Sequence, residues 1–510
     1  MRAISFGIVA VVVAGLVSMP SAAASQPLGD TPSALDTWME DVALSAVERD
    51  TPPSADVVVR ETAAARLADD HAAIQAFRPG YSFWHSVFTI PDGSVVFAEA
   101  ATGRVLATLP NNGNWRRDGE WADPELGTII SNVSLPSNLT QRRARVAEIL
   151  ESVAGPVVHN ATRGNFVLPN AKRYGSFLEE WGAIYERFGV PADIGLAQAL
   201  IESGLSGTVR SEARALGFCQ WLPANWERLK RDSPIVIEGY NQTTQAQYCA
   251  AYLTVLATKY GSFIPALSEH HAGAANVGRV ITSGERLGAT ESRERYLVGA
   301  DFVRDLRDFS PRTFQDVYGT YGPRSYLYSE MVFGTMQTVQ HFRETIPQER
   351  IYAMRTTRAI PIGEVTRRTG LSADEVRRYN PALIREVPRG ATLYLPTQID
   401  DFGADVAFWH RPPDPAFSQV MAEFVTLRAA PEEWYEPEFE AVLRDFQRRF
   451  RETGTEEGHV MATILAFTVR DLALTRPLLA QYRSSTRIRN LIDQGMRQRA
   501  QVLANRTMAE

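Results

Sequence analysis

Apolar residues recur at helical spacing through most of the chain. Ile194, Ala197, Leu200 and Ile201 make one stripe, the pattern of a helix with one buried face. Pro191 suits a first helical position, where its missing N–H has no partner to lose. Gly204 can take the left-handed conformation that ends helices. Tyr174 to Phe188 puts Phe177, Leu178, Trp181, Ile184 and Tyr185 on one side, and leads through Gly189 into that helix. Thr140 to Val153, Thr243 to Tyr260 (Tyr248, Tyr252, Leu253 and Leu256 at core spacing), Phe439 to Arg451 and Ile464 to Tyr482 follow the same period. Residues 25 to 80 also read as helical, with Asp30, Thr31 and Pro32 offering a start.

The period changes near residue 81. Tyr81 to Ile90 is aromatic and β-branched, Pro91-Asp92-Gly93 is a turn, and Ser94 to Glu99 and Arg104 to Leu109 read as strands around Thr102-Gly103. Together they predict a small β-meander. The cluster Tyr81, Phe83, Trp84 and Phe88 reads as core, with a sugar-stacking face as the alternative. Asn111 to Asn138, rich in Asn, Gly, Pro and Ser, reads as loop. Residues 351 to 397 form a compact unit. A helix near Ile362 to Thr369 precedes Ser372-Ala373-Asp374-Glu375, a capping box opening a second helix. Asn380-Pro381 ends that helix, and Pro388-Arg389-Gly390 turns into a strand, Ala391 to Leu395. The chain is mainly α, α+β overall.

Composition narrows the class. At 510 residues two to four domains are expected. The formal net charge of -6 gives no nucleic-acid signal. Residues 1 to 24 read as a secretory signal peptide: Arg2, a short apolar core from Gly7 to Val17, and Ser21-Ala22-Ala23-Ala24 as a small-residue cleavage site. The core is shorter than the about 20 apolar residues of a spanning helix, no later segment is apolar enough to span, and no cysteine near the cleavage site offers a lipid anchor. The mature protein is therefore expected in the periplasm or outside the cell, without a transmembrane segment. In an oxidising compartment the only two cysteines, Cys219 and Cys249, suggest a disulfide; two buried thiols are the alternative. No His or Cys cluster has metal-ligand spacing, and no cofactor is expected.

Candidate chemistry centres on Glu202, in the last turn of the Pro191 helix. There it faces the negative end of the helix dipole. Partial burial acts in the same direction, raising its pKa. A carboxyl protonated near neutral pH can serve as a general acid; a solvated helix-end glutamate is the alternative. Asp193, nine residues earlier, lies on the opposite helix face roughly 13 Å away and cannot be its partner. Glu212, Glu238 and Glu269 remain as possible second carboxylates.

Glu202-Ser203, followed eighteen residues later by Gln220 within Gly217-Phe218-Cys219-Gln220-Trp221-Leu222-Pro223, resembles the SLT domain of bacterial lytic transglycosylases. That family reads Glu-Ser, then Gly-Leu-(Met/Trp)-Gln-(Phe/Ile)-Met-Pro at the same spacing. Ser211 matches a further family serine. His270-His271-Ala272-Gly273 stands where the family has Ala-Tyr-Asn-Ala-Gly, and Glu291-Ser292-Arg293 with Tyr296 resembles Glu-Thr-Arg-x-Tyr. Tyr326 competes with Tyr296 for the late tyrosine, within a stretch that also holds Tyr318, Tyr321 and Tyr328. The βααβ unit is similar to a LysM module through Gly370-Leu371-Ser372, Asn380-Pro381 and Pro388-x-Gly390 before Leu395-Pro396, but Arg355 to Pro361 replaces the early Gly-Asp-Thr-Leu segment. Membrane-bound lytic transglycosylases of the D type combine such units.

The resemblance implies a lysozyme-like helical domain over 166–345. It is preceded by an N-terminal region, 25–165, and followed by a LysM-like module, 350–398, and a helical C-terminal region, 402–510. It implies cleavage of peptidoglycan glycan strands between N-acetylmuramic acid and N-acetylglucosamine, with a 1,6-anhydro product. Glu202 is the implied acid and then base, and Ser203, Gln220, His270, His271, Tyr296 and Tyr326 the implied substrate-binding residues. His270 replaces a tyrosine that contacts the glutamate. A hydrogen bond from it to Glu202 would make activity fall below the histidine's pKa. The competing expectations are a hydrolytic muramidase of goose-type resemblance and a non-catalytic peptidoglycan-binding scaffold.

Overall fold

The structure is a computed structural model. It describes residues 53–233, 239–322, 324–398, 406–408 and 413–507. The signal-peptide reading, and the helical reading of 25–52, lie outside these residues.

The chain is mainly helical, with small antiparallel sheets. It opens with α1 (Ala55–Phe77) and α2 (Phe83–Thr89). The second helix corrects the extended reading of Tyr81 to Ile90: Phe83, Trp84, Val87 and Phe88 are buried at helical spacing, as core rather than as a sugar-facing surface. Strands β1 (Ser94–Glu99) and β2 (Val105–Pro110) pair as expected, Val95 opposite Leu109. Residues 111–138 are more ordered than a loop. They contain α3 (Trp115–Asp118), β3 (Glu120–Trp121) and α4 (Pro124–Ser131), the last capped by the Asp123 carboxylate. Helix α5 (Leu139–Ala154) leads to β4 (Val157–Ala161), which pairs with β1 and completes the order β3-β2-β1-β4. This sheet has its own core around Phe97, Trp115 and Leu150.

The central body runs through α6 (Gly164–Tyr174), α7 (Leu178–Arg187), α8 (Ala192–Ser203), α9 (Pro223–Asp232), α10 (Gln242–Tyr260), α11 (Phe263–Ala272), α12 (Ala274–Arg286), α13 (Ser292–Phe309), α14 (Pro311–Tyr318) and α15 (Tyr328–Thr345). The compact unit follows: β5 (Tyr352–Arg355), β6 (Ile360–Pro361), α16 (Ile362–Thr369), α17 (Ala373–Tyr379), β7 (Glu386–Val387) and β8 (Thr392–Leu395). β5 and β8 pair antiparallel, Tyr352 opposite Leu395, which gives the βααβ order. The capping box of Ser372 and Glu375 is formed in both directions. A further strand, β9 (Val406–Phe408), covers the other edge of β5. Asn380 holds the unit together, since its side chain bonds both the N–H and the carbonyl of Tyr394. Asn241 reaches the Tyr379 carbonyl at 3.0 Å and docks the unit on the start of α10.

The C-terminal helices α18 (Pro415–Val425), α19 (Pro437–Glu452), α20 (Glu456–Ser484) and α21 (Thr486–Thr507) do not stand apart. α18 packs on α1, and α20 on α10 and α12. One apolar core therefore runs from Val59 through the central helices to Ile492. No helix among the described residues is long and apolar enough to cross a membrane.

Candidate active site

Helix α8 is buried on most of its circumference. Gly195 accepts the Tyr185 ring where a side chain would clash; Leu196 and Ala199 are sealed as fully as Ile194, Ala197 and Leu200, while Ile201 of the expected stripe is only partly buried. Gly204 ends the helix with φ 58°, and a Cβ there would meet the Phe166 carbonyl oxygen at 2.4 Å. The last turn is thereby held inside the body, and Glu202 with it. α15 packs along α8, and α11 packs on α15. The result is a meeting of three helix ends: Glu202 closing α8, His270 and His271 closing α11, and Tyr328 opening α15.

The Tyr328 hydroxyl donates a hydrogen bond to Oε1 of Glu202. The Nδ1 atoms of His270 and His271 lie 3.8 and 3.9 Å from that same oxygen, too far for hydrogen bonds. The expected bond from His270 is therefore absent. The His271 ring stacks on Tyr328, with centroids 4.3 Å apart and planes 11° from parallel. The Glu202 side chain is 13% exposed. Burial pushes its pKa up to about 7, against the opposing hydrogen bond from Tyr328. Burial pushes His270, 7% exposed, down to about 3. His271 moves the same way, to about 4, but its ring is 38% exposed and solvent there offsets part of the effect. At neutral pH the imidazoles are uncharged, so they leave the raised pKa of Glu202 intact.

Ser203 and Gln220 shape the site without facing it. Ser203 is fully buried, so it cannot meet a ligand. Its hydroxyl donates to the Ala199 carbonyl at 2.8 Å and lies 3.4 Å from that of Phe218. This fastens the helix end to the following loop. Gln220 turns its amide back to the Gly217 and Val209 carbonyls at 3.1 and 3.3 Å, and does not bond Glu202. Cys219 and Cys249 are joined in a disulfide, Cα atoms 6.1 Å apart. Leu205, Arg214 and Gln220 all have left-handed backbones, φ 71°, 61° and 50°. Such strain in side-chain-bearing residues persists only where surrounding structure enforces it.

Neither expected late tyrosine reaches Glu202. Tyr296 is fully buried, its hydroxyl 2.9 Å from that of Tyr321. Tyr326 lies beneath the Arg304 guanidinium, 6.0 Å from ring to cation. Tyr318 and Tyr321 are core. Tyr328 takes the position instead. A signal for it was present, because Tyr328 heads the run Val332, Phe333, Met336, Val339 at core spacing.

The sequence matches no family model and no curated protein.

The second carboxylates resolve differently. Glu269 is buried and bound to Lys259 Nζ at 2.8 Å, turned away from any solvent-borne substrate. Glu212 is exposed on the loop; Glu238 lies outside the described residues. Asp193 pairs with Arg343 at 2.7 Å. Among the described residues, the groups in contact with the Glu202 carboxylate are one phenol and two neutral imidazoles. Such a constellation can deliver one proton and take one back. Two concavities of about 410 and 300 Å³ lie elsewhere, and Glu202 lines neither. Among the described residues no three His, Cys, Asp or Glu side chains converge to hold a metal.

Proposed function

We propose that the protein is a peptidoglycan lytic transglycosylase acting outside the cytoplasm, with a lysozyme-like helical domain and a LysM-like module. The observation that carries the reading is Glu202: a sheltered carboxyl with a pKa near 7, at the motif position of the catalytic glutamate, with no second carboxylate in contact among the described residues. Glu202 protonates the glycosidic oxygen that leaves N-acetylmuramic acid. The substrate's acetamido group stabilises the positive charge at the anomeric carbon. The ionised Glu202 then takes the proton of the 6-hydroxyl, and the oxygen closes on the anomeric carbon as a 1,6-anhydro ring. One group acting as acid and then as base suffices, because no water is activated. Hydrolysis would need a base on the opposite face, and Glu269 is locked against Lys259.

Digestion of purified murein by the mature chain, followed by mass spectrometry, tests this. Anhydro ends are expected, and Glu202→Gln removes them. Reducing ends would identify a hydrolase, and uncut murein a binding protein; either result overturns the proposal.

A further inference from the structure

A cavity of about 410 Å³ lies between the loop after α8, the start of α9 and the βααβ unit. Its walls include Arg210, Arg214, Lys230, Trp226, Tyr240 and Leu383. Three cations face one acid, Glu227, whose carboxylate pairs with Lys230 at 3.0 Å. That exposed pair is weak. The Arg210 guanidinium lies over the Tyr240 ring, 5.5 Å from its centroid, and Arg214 makes no ion pair among the described residues. Trp226 is buried, and its indole N–H has no hydrogen-bond partner among the described residues. Three cations against one carboxylate favour an anion that accepts charge-assisted hydrogen bonds. The positive end of the α9 dipole adds to this, while Leu383, Leu216 and Pro223 supply apolar wall. A ligand that fits carries carboxylates on a short aliphatic frame.

The cavity wall and the segment fastened to Ser203 belong to one loop. Leu216, in its wall, bridges on either side to Arg210 and to Trp221, next to Gln220. Resting on the reading above, we propose that this cavity binds the carboxylate-bearing peptide that branches from muramic acid, and so selects peptide-substituted glycan.

The test is calorimetric titration of the mature chain with L-alanyl-γ-D-glutamyl-L-lysyl-D-alanine and with the same peptide amidated at its carboxylates. The free acid is expected to bind about tenfold tighter than the amide, as charge-assisted bonds require. Arg214→Asn, which tolerates the left-handed backbone, and Lys230→Gln should each weaken the acid and leave the melting temperature and cleavage of peptide-stripped glycan unchanged. Equal affinity for acid and amide, or variants that bind as wild type, would overturn the assignment. The two proposals fail separately. Acid-selective binding with uncut murein sinks the catalytic reading alone; cut murein with no acid preference sinks the cavity assignment alone.

Discussion

The hydroxyl of Tyr328, first residue of α15, is hydrogen-bonded to Oε1 of Glu202, the last residue but one of α8. The bond crosses the helix packing that buries the carboxyl. Burial favours the neutral acid and the phenol favours the anion, so the two helices set the protonation of Glu202 between them.

Tyr328→Phe removes the one bond among the described residues that favours the charged form. The Glu202 pKa then rises above about 7, and the alkaline limb of a pH–rate profile moves to higher pH. Loss of a charge-assisted hydrogen bond, about 1.5–3 kcal/mol, corresponds to a roughly ten- to hundredfold lower rate if the bond persists in the transition state. Murein turbidity assays across pH measure both effects. An unchanged alkaline limb would show that Tyr328 does not control the carboxyl.

The turn that carries Glu202 was legible because local chemistry fixes it: a helix with an apolar stripe, ended by Gly204, with Glu202 in its last turn. Its histidine neighbours were legible through the motif resemblance, although they arrive from 68 and more residues away, but the bond expected from His270 does not form. Glu269, next to His270 in sequence, turns the other way and pairs with Lys259, while His270 ends beside Glu202. Tyr328 was visible only as one of several tyrosines: its place at the head of an apolar helical run marks a helix start, not a partner for Glu202. Tyr81 to Ile90 misled for a related reason: tertiary packing overrides the β preference of aromatic residues. The βααβ unit was readable in detail because its turns and capping box are local signals.

Glu202 should cost stability at alkaline pH. Its folded pKa, about 7, lies above the usual glutamate value. The folded state therefore binds more protons than the unfolded chain in that window. Stability falls as pH rises from the unfolded value through about 7, and stays lower above it. Glu202→Gln removes this dependence and should stabilise the protein at pH 8 by up to roughly 3 kcal/mol, with little gain at pH 4. Urea denaturation of both forms at the two pH values measures the difference. Asp70 and Asp471, raised by burial to about 7 and 6, titrate in both proteins and cancel in the comparison.

The two histidines should leave no mark on the acid side of the activity profile above about pH 5. Burial holds His270 near 3 and His271 near 4, so they acquire charge only below that range. Activity is expected to be level from about pH 5 to 6 and to fall as Glu202 ionises near 7. A loss of rate centred on pH 6 would show a histidine protonating beside the carboxyl. His271→Asn would then identify it by abolishing that limb.

The disulfide carries the loop on which Gln220 sits. Cys219 and Cys249 are 30 residues apart, and closing a loop of that length stabilises by roughly 3–4 kcal/mol in the chain-entropy account. Cys219→Ala with Cys249→Ala should lower the melting temperature by several degrees. Activity should fall further than folding does, because the pairing anchors the segment fastened to Ser203. A thermal scan and a rate measurement well below the transition separate the two effects.

Lys259 tests how far the C-terminal helices support the site. Its ammonium is sealed from solvent, 2.8 Å from Glu269 and 2.7 Å from the Tyr435 hydroxyl. Tyr260 donates a further hydrogen bond to the same Glu269 oxygen. Glu269 precedes His270 on α11, while Tyr435 lies between α18 and α19, so the lysine joins α11, whose end lies beside Glu202, to the C-terminal region. Lys259→Met leaves a buried carboxylate without its cation, and should destabilise by about 3–5 kcal/mol. Lys259→Met with Glu269→Leu replaces both charges by apolar atoms and should recover most of that loss, which urea midpoints will show. If activity stays low in the double variant despite restored stability, the ion pair sets the position of α11 rather than merely holding the fold together. If activity returns with stability, packing alone places His270 and His271 against the carboxyl.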